Sequence, residues 1–179
     1  YDITFTITAI GTARHGFAAD LSGLDIDHAL QLVASGANLS ALTSHPTPAD
    51  AFELLRLSQA DVLFENTPVN YQTGQPALSY LRAALELGMH AITANKGPVV
   101  HGYRQLTALA QQRGRKFFFE SAVMDGAPIF SLFRRALPAA ELRALNGILN
   151  STTNLILGRM EAGESLEQAI AYAQSIGIA

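Results

Sequence analysis

Residues 60–95, ADVLFENTPVNYQTGQPALSYLRAALELGMHAITAN, decide the fold class. ADVLFEN and MHAITAN are apolar runs of strand length. Between them, in GQPALSYLRAALELG, Leu78, Leu81 and Leu85 fall at i, i+3 and i+7, the spacing of one helical face. Gly88 stands where a left-handed cap would close that helix. Strand, helix and strand in this order make a parallel crossover, because parallel neighbours cannot be joined by a tight turn.

The same alternation continues outward. Val99, Tyr103, Leu106 and Ala110 line one face of a further helix predicted to end at Gly114, and KFFFES (116–121) reads as another strand. Upstream, residues 2–10, DITFTITAI, are rich in β-branched side chains and predict a buried strand closed by Gly11. Thr47-Pro48-Ala49-Asp50 predicts a helix start, with Thr47 as cap and Pro48 at the first helical position, running to about Leu57. Strands alternating with amphipathic helices predict an α/β fold with a parallel sheet covered by helices on both faces. After Asp125-Gly126-Ala127-Pro128 the pattern changes to a helix over 129–137, a strand over 140–149, a helix over 152–162, and a last helix whose capping box runs from Ser165 to Gln168. The expected units are therefore 1–125 and 126–179, the second the start of an α+β domain.

Composition narrows the function classes. The chain is 49% hydrophobic and 15% charged, enough to bury a core. Absence of cysteine removes disulfides, thiolate nucleophiles and Cys-type zinc sites, and suits a reducing, cytoplasmic compartment. The formal charge is -3 with Lys and Arg dispersed, so the footprint of a nucleic-acid binder is missing. No apolar run approaches the ~20 residues of a membrane helix and no signal peptide opens the chain, so no membrane partner is expected. His15, His28, His45, His90 and His101 show no HxH or HExxH spacing, and GxSxG and GxxxxGK[ST] motifs are lacking, which sets zinc, hydrolase and kinase chemistry aside. Because the chain opens on Tyr1 and a strand-like run, residues upstream of it are expected.

In open parallel sheets ligands bind beyond the carboxyl ends of the strands, where helix N-termini and turns present unpaired donors. Three such ends carry polar residues here: Asn66-Thr67-Pro68, Thr93-Ala94-Asn95-Lys96-Gly97 and Glu120-Ser121. From the residues alone, Thr67 and Thr93 are open between satisfying local backbone groups and facing a ligand. Lys96 is open between a solvated surface lysine and a contact to a ribose hydroxyl or a substrate carboxylate. Glu120 is either a solvated carboxylate or part of a hard-cation site. Asn150-Ser151-Thr152-Thr153-Asn154 supplies five polar residues where a helix cap needs one, which suggests a ligand-facing turn beside the plainer capping role. Arg14 is open between a cofactor phosphate partner and a free surface arginine.

Taken together, ENTPVNYQTGQPALSYLRAALELGMHAITANKGPVVHGYRQL (65–106), FFFESAVMDGAPIFSL (117–132) and LNGILNSTTNLIL (145–157) resemble homoserine dehydrogenase over essentially the whole chain. TANKGP, ESAVMDGAP and NSTTN occur in family order and at family-like spacing. The resemblance implies a Rossmann-type sheet, here incomplete, followed by the start of a substrate and dimerisation domain. It also implies interconversion of L-homoserine and L-aspartate 4-semialdehyde with NADP or NAD, on the route to threonine and methionine, by a homodimer. By the same resemblance Thr67, Thr93 and Lys96 line the cofactor, with Lys96 also reaching the substrate. Ser151 and Thr152 lie near the nicotinamide, Thr152 also at the substrate, and Gly177 lets backbone approach the ligand. Glu120, Val123, Asp125 and Ala127 supply mainly carbonyl oxygens to a sodium or potassium ion, which accepts oxygen-only coordination.

Two family features have no counterpart in these 179 residues. One is the GxGxxG turn before the pyrophosphate-binding helix; the other is the catalytic lysine with its acidic neighbours, expected beyond Ala179. The chain by itself is therefore expected to be inactive. Two other readings compete: a dehydrogenase of similar order, such as an aspartate dehydrogenase, and a non-catalytic nucleotide-sensing or oligomerisation module. A dimer through the second domain is expected on separate grounds, because residues 129–162 hold more apolar surface than one short strand and two helices can bury.

Overall fold

The computed structural model describes residues 2–44, 46–123 and 127–178. The chain divides into two compact units, Tyr1–Gly126 and Ala127–Ala179.

In the first unit, β1 (Ala9–Thr12) and β2 (Gly16–Ala19) form an antiparallel hairpin, followed by α1 (Ile26–Ala34), a 3₁₀ turn (Leu39–Leu42) and α2 (Ala51–Ser58). The parallel sheet comes next: β3 (Val62–Glu65), α3 (Ala77–Glu86), β4 (His90–Thr93), α4 (Lys96–Gln112) and β5 (Phe117–Phe118), with β4 in the middle. The register sets Glu65 opposite Thr93 and Ala91 opposite Phe117. This is the predicted α/β arrangement, a three-stranded parallel sheet flanked by helices. Its core is built from the residues that carried the periodicity: Leu81, Leu85 and Leu106 are fully buried, each contributing about 1.5–3 kcal/mol. Leu55, Ala84 and Met89 form a neighbouring cluster, and Ala18, Leu24, Ala29 and Leu39 a separate one beside the hairpin.

Several predicted boundaries differ. The strand expected over 2–10 is Ala9–Thr12, and it pairs with a following antiparallel strand rather than joining the parallel sheet. Ile3 and Phe5 lie 64% and 84% exposed, since β-branched propensity needs a neighbouring strand and none of the described residues provides one there. The second helix begins at Ala51, not Pro48. Asp50 outcompetes Thr47 as cap because its carboxylate accepts from Glu53 N at 2.8 Å while Glu53 Oε2 accepts from Ala49 N at 2.6 Å. The third parallel strand is only Phe117–Phe118, and Glu120 opens a 3₁₀ turn, Glu120–Ala122. Helix α1 carries no counterpart in the sequence reading.

The second unit holds α5 (Ile129–Ser131) running into a π-helical turn (Leu132–Ala136), then α6 (Ser151–Glu161) and α7 (Leu166–Ser175). The capping box from Ser165 to Gln168 is present, with both reciprocal bonds. Arg159 joins α6 to α7: it makes a two-pronged ion pair with Glu164 (2.6 and 2.8 Å) and lies 3.6 Å over the Tyr172 ring. The strand expected over 140–149 is absent. Leu142, Leu145, Ile148 and Leu149 are exposed, and no described residue offers a partner backbone to this stretch. No helix among the described residues is long and apolar enough to cross a membrane.

Candidate functional site

The carboxyl ends of β3 and β4 are joined through one buried carboxylate. Glu65, 3% exposed, accepts from Thr67 N (2.7 Å) and Thr67 Oγ1 (2.5 Å) on Oε1, and from Thr93 Oγ1 (2.6 Å) on Oε2. Thr93 Oγ1 in turn accepts from Asn95 N at 2.9 Å. Asn95 then works in two directions. Its Oδ1 caps α4 by accepting from Gly97 N (2.9 Å), and its Nδ2 donates to Thr67 O (3.0 Å), so the helix head is tied to the loop after β3.

Lys96 is the first residue of α4 and is exposed. A cation at a helix N-terminus opposes the helix dipole and carries a small cost in stability. That placement concentrates positive potential and N–H donors on one spot, which favours an oxygen-rich or anionic ligand. Asn66, Thr67, Val69, Tyr71, Ala94, Asn95 and Lys96 line a cleft of about 220 Å³ there.

The cleft wall after Pro68 is held from below. Asn70 Oδ1 accepts from Gln72 N and Thr73 N, and Gly74 N donates to Asn70 O at 2.9 Å. His101 Nε2 lies 2.8 Å from Tyr71 O, and since a carbonyl only accepts, Nε2 carries the proton. Gly74, at φ +68°, backs onto Gly97: a Cβ on Gly74 would stand 2.8 Å from Gly97 O. Only glycine allows the loop this approach to the helix head.

Comparison with known proteins identifies the arrangement. The family model described as "Homoserine dehydrogenase, NAD binding domain" matches residues 10–120, and that for "Homoserine dehydrogenase" matches 128–179. The chain belongs to the homoserine dehydrogenase family. An NAD(+)-dependent homoserine dehydrogenase of Pseudomonas canavaninivorans is 33% identical over 99% of this chain and 51% of its own length. The homoserine dehydrogenase of Methanocaldococcus jannaschii is 34% identical over 98% of this chain and 52% of its own. A hyperthermophilic archaeal homoserine dehydrogenase solved in complex with NADPH superposes with a TM-score of 0.75, at 28% identity, covering 96% of this chain and 51% of that one. The chain thus spans about half the length of the curated relatives it matches.

Within that family frame, Thr67 and Lys96 face one cleft. Thr93 does not: it is 1% exposed, its hydroxyl is shared between Glu65 and Asn95, and Ala94 lines the cleft at that strand end. Any contact from Thr93 itself to a ligand would have to come from its backbone. Arg14 lies exposed in the turn of the β1–β2 hairpin rather than past a parallel strand. Glu120 is half-buried and Val123 follows its turn; Ala127 belongs to the other unit, and Asp125 lies outside the described residues. Among the described residues no three His, Asp or Glu gather as metal ligands.

In the second unit, Asn150 takes the capping role, its Oδ1 accepting from Thr153 N at 2.7 Å. Thr152 Oγ1 donates to Ile178 O at 2.6 Å, which brings the head of α6 to the turn after α7. That turn is made by Gly177 at φ +74°, with Ile178 N bonded back to Ala173 O. Thr152 and Ile178, 26 positions apart in the chain, therefore meet beside Gly177, while Ser151 stays exposed. The sequence reading assigned no role to Glu65 or Asn95. A carboxylate closing an otherwise apolar strand was the available signal for the first; an asparagine immediately before a helix was the signal for the second.

Proposed function

We propose that this chain is the cofactor-binding part and the beginning of the substrate domain of an enzyme that interconverts L-homoserine and L-aspartate 4-semialdehyde with NADP or NAD, in threonine and methionine biosynthesis. The observation that carries this reading is the cleft in which Lys96, at the head of α4, faces the Thr67 loop across the ends of two parallel strands. Those groups suit a nicotinamide riboside: hydroxyl and amide oxygens meet ribose hydroxyls, and the ammonium meets ribose or substrate oxygen. When bound, the nicotinamide supplies hydride transfer. The chain's own residues hold and orient it. Lys96 positions the substrate beside it, and Arg14 pairs with a cofactor phosphate. Ser151, Thr152 and Gly177 take the roles that the family resemblance assigns them, and Thr93 acts from behind the cleft.

The reading extends to a monovalent cation, sodium or potassium, on oxygens of Glu120, Val123, Asp125 and Ala127, and to a cytoplasmic homodimer built through the second unit. The exposed Leu142, Leu145, Ile148 and Leu149 support the dimer. Residues 1–179 alone are inactive in this proposal, because a proton donor for the developing alkoxide contributes ~10²–10⁴-fold and the family's donor is not among them. The test is an assay of the full-length gene product with homoserine and either cofactor. Homoserine-dependent reduction of NADP or NAD is expected; reduction with aspartate in place of homoserine, or none at all, overturns the reading.

A further inference from the structure

Glu65 is a buried carboxylate without a cation: no ion pair involving it is found among the described residues. Burying such a group is costly, and for stability alone an apolar pair at the ends of β3 and β4 would serve as well. What Glu65 does instead is gather three short hydrogen bonds, at 2.5, 2.6 and 2.7 Å, of the length found for charge-assisted pairs. All three come from Thr67 and Thr93. Both hydroxyl protons are thereby spent inward. Thr93 uses an oxygen lone pair on Asn95 N and has no surface left, whereas Thr67 is half-buried and lines the cleft. A hydroxyl whose proton is committed offers a ligand only its lone pairs.

We propose that Glu65 is a positioning residue of the dinucleotide site, clamping the ends of β3 and β4 and making Thr67 a pure hydrogen-bond acceptor toward the cofactor. This rests on the reading of the cleft as that site. Two geometric consequences follow. Aspartate is one methylene too short to hold both strand ends at once. Glutamine would still set its carbonyl oxygen against the Thr67 N–H and turn its NH₂ to Thr93, whereas leucine keeps the volume and removes the acceptor, so both hydroxyl protons are released and Thr67 is no longer held to one polarity.

The experiment is a double-mutant cycle in the full-length enzyme, reading Kd for NADPH and NADH by fluorescence titration, with Tm recorded alongside. Glu65→Leu and Thr67→Val are each expected to raise Kd by roughly fivefold to thirtyfold, the loss of one hydrogen bond with a charged partner in its chain. The double variant is expected to be no weaker than the worse single one, since both remove the same contact, and Thr67→Ser is expected to stay near wild type. Additive losses, or an unchanged Kd in a folded Glu65→Leu, overturn the proposal. Should Glu65→Leu not fold, Glu65→Asp decides: a Kd within about twofold of wild type overturns the proposal, and a rise beyond about fivefold supports it. Wild-type enzyme that binds cofactor but does not turn over homoserine overturns the substrate reading alone, and the cycle on Kd still decides Glu65. Wild-type enzyme that binds neither cofactor overturns both.

Discussion

Replacing Asn95 with alanine removes two short bonds that share one side chain, besides a longer one from Nδ2 to Pro68 O at 3.5 Å. The first is the cap on Gly97 N at 2.9 Å, and such caps contribute about 1 kcal/mol. The second is the Nδ2 bond to Thr67 O at 3.0 Å, worth about 1 kcal/mol, with a further cost because a half-buried carbonyl loses its partner. The sum is a loss of about 2–3 kcal/mol. At ~2–4 °C per kcal/mol for a chain of this size, Tm should fall by about 5–10 °C. Asn95→Asp separates the two contributions. Aspartate keeps the acceptor for Gly97 N and adds a charge favoured at a helix N-terminus, yet sets a second oxygen against Thr67 O. Its Tm should therefore lie between those of wild type and Asn95→Ala. The assay is thermal denaturation followed by circular dichroism, with cofactor titration in parallel, where both variants should bind more weakly because the Thr67 loop is untied. An Asn95→Ala protein melting within about 1 °C of wild type, or an aspartate variant as stable as wild type, would refute the idea that this side chain braces the loop against the helix.

Other outcomes are open to measurement in the full-length enzyme. Lys96→Ala should lower kcat/KM by roughly ten- to a thousandfold, and Lys96→Arg should not restore it, because a planar fork replaces a point charge; wild-type kinetics would return Lys96 to the role of a surface lysine. Gly74→Ala forces a side chain into φ +68° and a Cβ to 2.8 Å from Gly97 O, a backbone atom that cannot swing away, so a loss of about 2–4 kcal/mol by chemical denaturation is expected. A loss below ~0.5 kcal/mol would mean that the loop shifts freely. Sedimentation should find a dimer, and a stable monomer would remove the proposed role of the second unit.

The elements legible in the sequence are those whose causes are local. Leu78, Leu81 and Leu85 specify a helical face by spacing alone. Ser165 and Gln168 cap their helix within four residues, and the runs at 62–65 and 90–93 are short strands on either side of a helix. Thr67 and Lys96, which the motif resemblance assigns to the cofactor, line one cleft because each lies within three residues of the end of its own strand. What depended on tertiary structure is everything that needs a partner distant in the chain. Residues 2–8 and 140–149 have strand composition, but a strand exists only where another backbone accepts its hydrogen bonds, and there the structure supplies none among the described residues. Thr93 looks like a ligand-facing residue until the parallel register sets it against Glu65, 28 positions earlier, and takes its hydroxyl inward. Thr152 reaches Ile178 O, next to Gly177, only because α6 and α7 pack side by side. Periodicity and capping are written along the chain, whereas the partner of a buried polar group is chosen by the fold, since no residue carries in its own neighbourhood the position of an atom that the sheet brings to it.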